Sequence, residues 1–183
     1  MQVGLFSELI NRKFQNIAEN RYREIVERYR EFFLSEEELA IPRIFRVFVL
    51  LDRYSEKPND DVYETLKAYP SARVCLLYVV EESLVRLVAS TLGDEEAEKL
   101  RTLEINFGNN ILDEVESRLK EMKFEVERRF IFGVRAEEPL KFEDDCDLFI
   151  ISKHYGSETS KTYPVSPMVY RIVQHIEKPI IIY

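Results

Sequence analysis

Residues 147–183, DLFIISKHYGSETSKTYPVSPMVYRIVQHIEKPIIIY, decide the fold class. Leu148 to Ile151 is an uninterrupted apolar run, suited to a strand covered on both faces. A polar segment follows, and then Ser166-Pro167, a serine able to cap a helix and a proline suited to its first position. The chain closes on PIIIY, a second β-branched run. Strand, loop, helix and strand in that order put the loop at the carboxyl end of a strand, the edge where open α/β sheets receive ligands. Loops that hold an anion there with backbone amides are rich in glycine, whereas this one has Gly156 alone.

The same alternation extends toward the N-terminus. FRVFVLLD (residues 45–52) and ARVCLLYVV (72–80) are further apolar, β-branched runs, with a short helix expected between them over residues 59–69. A helix over 83–92, ended by Gly93, precedes a long one capped by Asp94, with Ala97, Leu100, Leu103, Phe107, Ile111, Val115, Leu119 and Met122 on one face. FEVERRFIF (124–132) alternates apolar with charged residues and reads as an edge strand ended by Gly133. A weak helix over 136–142, interrupted by Pro139, leads back to DLFIIS. Strands alternating with helices imply right-handed crossovers and a five-stranded, doubly wound parallel α/β sheet.

Upstream, Phe6, Ile10, Phe14, Ile17, Tyr22, Ile25, Tyr29 and Phe32 recur near the helical period, so residues 5–33 read as one amphipathic helix. Its length, about 42 Å at 1.5 Å per residue, exceeds the width of a small domain and suggests contact with a second chain or wrapping of the domain. Its polar face mixes basic residues with glutamates, which lacks the cationic excess of a membrane-surface helix. The acidic Ser35 to Glu38 and Pro42 read as a hinge, dividing the chain into an extension (1–43) and a domain (44–183).

With 33% charged residues and a formal charge of −8, the chain is a poor partner for nucleic acid or anionic membrane. The absence of an apolar run of 18 residues and of a signal-peptide core predicts a cytoplasmic protein without stable membrane insertion. Cys75 and Cys146 read as free thiols.

VLLD ending at Asp52, LLYVVE (76–81), the long helix, FIFG, DLFIIS and the closing KPIIIY together resemble a universal stress protein domain over residues 44–183. The resemblance implies the adenine nucleotide alpha hydrolase-like sheet order 3-2-1-4-5 and a homodimer, while the N-terminal helix, which lies outside it, reads as a surface for further protein partners. In the nucleotide-binding branch, an aspartate after the first strand, backbone at the end of the second and a glycine-rich loop after the fourth hold ATP. Those positions fall here on Asp52, Val79, and the loop residues Ile151, Ser152 and Ser166. The family pattern, G-x-x-G, nine residues, then G-S or G-T, is not met. Ser152 and Tyr155 stand at the first two glycines, and Ser166-Pro167 at the closing pair one residue late.

Glycine lets an amide approach an oxyanion with no Cβ in the way, a tyrosine would lay a phenol across the cradle, and Pro167 removes a donor. Lys153, His154 and Lys161, with the hydroxyls of Ser157, Thr159, Ser160 and Thr162, leave two readings: an anion site built of side chains, or a solvated loop. Asp52 reads as a ligand contact or as the partner of Arg53 or Lys153. No catalytic or metal-binding motif is present, and the acids at 144, 145 and 147 read as a capped turn. The expectation is a non-enzymatic stress-response regulator that has lost ordinary ATP binding and carries no cofactor. The alternative is a sensor of ATP, AMP or a phosphometabolite acting through the loop side chains.

Overall fold

The computed structural model describes residues 43–162 and 164–183. The expected helix over 5–33 and the hinge lie outside them. The described chain runs β1 (Arg46–Leu51), α1 (Asp60–Leu66), β2 (Arg73–Glu81), α2 (Glu82–Leu92), α3 (Asp94–Glu121), β3 (Glu125–Gly133), a 3-10 turn (Pro139–Asp145), β4 (Leu148–Ile151), α4 (Pro167–Val173) and β5 (Ile180–Ile182). All four strand pairings are parallel, in the order β3-β2-β1-β4-β5. The sheet expected from the sequence is therefore present, with β3 at one edge.

Strand alternation divides the core in two. Val47, Val49, Leu51, Val74, Leu76 and Tyr78 face α1 and α3. Phe48, Leu50, Cys75, Leu77, Phe149 and Ile151 face α4 and the 3-10 turn. Burial on both faces is why β1, β2 and β4 read as unbroken apolar runs.

Local chemistry sets the element ends. Asn59 caps α1 by accepting from the Val62 amide at 3.1 Å, and Ser166 caps α4 by accepting from Val169 at 3.2 Å. Asp94 is the first residue of α3 and not its cap; Gly93, at φ +99°, makes the joint with α2. Pro139 starts the 3-10 turn where a helix over 136–142 was expected, since a residue without an N–H suits the first position. Both cysteines are buried, free thiols, each pushed up to about 12 chiefly by burial.

The long helix meets β2 and β3 closely at Gly108. Tyr78 stacks on Phe130 with ring centroids 5.1 Å apart. A Cβ on residue 108 would lie 2.5 Å from Phe130 Cε2 and 2.8 Å from Tyr78 Cε1. Gly108→Ala should therefore destabilise the domain by about 1–2 kcal/mol in urea unfolding, the overpacking cost of roughly 1–3 kcal/mol outweighing a helix-propensity gain of up to about 1. Equal or greater stability would show that the two rings yield freely.

Candidate functional site

The carboxyl ends of β1, β2, β3 and β4 converge on Asp52, whose side chain is fully buried. Its Oδ1 accepts from the amides of Tyr54 (3.1 Å) and Ser55 (2.9 Å) and from the Ser55 hydroxyl (2.8 Å). Its Oδ2 accepts from the Gly156 amide at 2.8 Å. The loop's one glycine, at φ +88°, thus turns its N–H inward onto a carboxylate of the protein itself.

Arg135 supplies the opposing charge. It is buried, and its Nε lies 3.3 Å from Asp52 Oδ2, a charge contact without the alignment of a hydrogen bond. The backbone of Arg135 is fixed at both ends. Its amide donates to Glu81 Oε2 at 3.2 Å and its carbonyl accepts from the Tyr155 hydroxyl at 3.1 Å. Burial raises the Asp52 carboxyl above its ordinary pKa, outweighing Arg135, Ser55 and the Gly156 and Tyr54 amides, all of which lower it.

Tyr155 does not lie across the loop as its sequence position suggested. It is fully buried among Phe48, Leu50, Phe149 and Val169, and burial pushes its phenol well above the ordinary value. The Ser166 hydroxyl donates to the Tyr155 carbonyl while capping α4, so both of its hydrogen-bonding roles are used internally. Ser152 Oγ accepts from the amides of Glu56 (3.2 Å) and His154 (3.3 Å).

Two basic side chains of the loop, Lys153 and His154, meet Glu56. Its Oε1 lies 3.2 Å from His154 Nε2 and its Oε2 4.0 Å from Lys153 Nζ. His154 Nδ1 pairs with the Thr159 hydroxyl at 2.8 Å, which fixes the ring. The Glu56 backbone is itself held, since its carbonyl accepts from the Tyr183 hydroxyl at 2.9 Å. A carboxylate of the chain therefore stands before the groups that would greet a phosphate.

No protein-family model matches the chain, and no curated protein matches it. Solved structures do. Hypothetical protein MJ0577 aligns at TM-score 0.60 and 18% identity, covering 76% of this chain and 95% of that one. The fold is that of the universal stress proteins. A universal stress protein family member from Burkholderia pseudomallei aligns at TM-score 0.52 and 18% identity, covering 79% and 98%. Universal stress protein UspA from Lactobacillus plantarum does so at 0.50 and 19%, covering 76% and 97%.

Within that fold, Asp52, Ser152, Lys153, His154 and Ser166 gather at one sheet edge, with Ile151 buried at the end of β4 and Val79 buried in β2. Lys161 is exposed farther along the loop. Neither expected partner of Asp52 takes that role. Arg53 Nη1 turns to Glu104 at 2.7 Å, and Lys153 turns to Glu56. Arg135 and Glu56 were missed; the available signal was a lone arginine just past FIFG at the ligand edge and a glutamate four residues after Asp52. Asp147 accepts from the Phe45 and Arg46 amides (2.8 and 2.9 Å) and Asp145 pairs with Arg46, as suits a capped turn.

Removing one partner of a buried ion pair leaves an uncompensated charge, at a typical cost of about 3–5 kcal/mol. Arg135→Met should show a loss of that order at neutral pH in urea unfolding. An acid whose folded pKa lies above its unfolded value contributes stability below the unfolded pKa, and that contribution is lost as pH rises through the folded one. Deleting the guanidinium removes a lowering influence, so the Arg135→Met deficit should shrink as pH falls toward about 4. Asp52→Asn in the same background should recover part of it. A deficit independent of pH would overturn this assignment.

Proposed function

We propose that this chain is a universal stress protein-like regulator of the stress response that has given up ordinary ATP binding and acts, as a cytoplasmic homodimer, through protein contacts. The observation that carries the reading is the state of Asp52. The aspartate that would meet a nucleoside is fully buried and receives four hydrogen bonds and an arginine from its own chain.

The surroundings support it. Tyr155 occupies the core beneath the loop, Ser152 and Ser166 have their hydroxyls engaged, and Glu56 opposes any anion approaching Lys153 or His154. A non-enzymatic role is consistent with this, because Asp52, Ser152 and Ser166 are each engaged by partners within the chain. Fold relationship to universal stress proteins supports the regulatory class.

Titration calorimetry of the full chain with magnesium ATP should give no saturable binding up to about 1 mM, weaker than about −4 kcal/mol. Micromolar affinity, about −8 kcal/mol, would overturn the reading.

A further inference from the structure

Two cavities lie side by side between the segment that follows β1 and the long helix α3. One, of about 460 Å³, is walled by Glu56 and Lys57 on one side and by Phe107, Asn110, Ile111 and Glu114 on the other. The second, of about 520 Å³, continues along α3 past Tyr63, Val115 and Arg118 to Glu121. Lys57 and Glu114 line both, and their ion pair is the divider between them. We propose that this groove is the docking site for an extended segment of a partner protein that carries apolar and basic residues in alternation. The proposal rests on the reading that the chain acts through protein contacts, and it names the class of partner.

Length and polarity single out this occupant. From Phe107 to Glu121 the helix rises about 21 Å, the span of about six extended residues and more than a compact metabolite covers. Phe107 is 48% exposed at the first cavity and Leu103, one turn earlier, 66% exposed, so apolar surface is already waiting at one end. Four carboxylates, Glu56, Asp60, Glu114 and Glu121, line the joined groove against two cations, Lys57 and Arg118. Glu56 also faces Lys153, Glu114 pairs with Lys57 and Asp60 with Arg118, so Glu121 carries the surplus negative charge of the groove.

The groove can exchange its partners. Lys57 with Glu114 and Arg118 with Asp60 are ion pairs whose side chains are all more than half exposed. Such pairs hold weakly, so an incoming arginine can take Glu114 or Asp60 from its present cation. Opening the Lys57 pair merges the two cavities into one trough. The Arg118 guanidinium lies over the Tyr63 ring, 5.0 Å from its centroid, which holds Arg118 at the groove wall.

The test uses the full chain, isotope-labelled for amide NMR, and three acetylated hexapeptides: alternating leucine and arginine, leucine and glutamate, and serine and arginine. The leucine-arginine peptide should shift the amides of Glu56, Lys57, Asn59 and Asp60 and of residues 107–121 saturably. The other two should bind at least tenfold more weakly. Glu114→Gln with Glu121→Gln should weaken the leucine-arginine peptide at least fivefold, while Glu95→Gln with Glu98→Gln, at the start of α3, should leave it unchanged. Equal binding of the serine-arginine peptide, shifts confined to other surfaces, or indifference to the Glu114 and Glu121 changes would each overturn the proposal. Shifts at the β4 loop on adding ATP would count against the proposed function alone, so the two can fail separately.

Discussion

A buried carboxylate has to be answered from within, and Asp52 sets that requirement for the whole carboxyl edge of the sheet. It draws an amide from the β4 loop, two amides and a hydroxyl from the turn after β1, and the Arg135 guanidinium from the segment after β3. Arg135 in turn binds Glu81 at the end of β2 and Tyr155 beneath the loop. Four strand ends are thereby tied to one charge. Desolvation remains the largest influence on Asp52 even so, which makes the cluster one whose members depend on each other.

That cross-linking explains how the edge keeps its shape with Gly156 as the one glycine of its β4 loop. A glycine loop leaves amides pointing outward for an anion. Here the polar groups of the loop point inward: Gly156 to Asp52, the Ser152 hydroxyl to two amides, the Ser166 hydroxyl to the Tyr155 carbonyl. What a ligand would contribute in order is supplied by the chain in advance.

Most of the architecture could be read from local pattern, because each pattern reports how many faces of an element are covered. Unbroken apolar runs at 47–51 and 74–80 gave buried parallel strands, and alternation at 124–132 gave the edge. The partners of Asp52 could not be read in that way. Arg53 and Lys153 are the cations nearest in sequence or loop, yet each is claimed by an acid from a different element, Glu104 of α3 and Glu56 of the turn after β1. Arg135 lies 83 positions away and arrives only through the crossover that brings β3 beside β2. Tyr155 was misread for a related reason, since facing the loop or the core is decided by one turn of backbone that leaves no trace in periodicity.

Cys75 and Cys146 carry a consequence of a different kind. Oxidants, electrophiles and disulfide exchange all act on thiolate, and a group pushed up to about 12 is ionised in roughly one molecule in 10⁵ at neutral pH. Both sulfurs are also shut off from solvent by the strands and aromatic rings around them. The two thiols of the folded domain are therefore redox-silent: peroxide and disulfide exchange, which need a thiolate in contact with solvent, do not reach them.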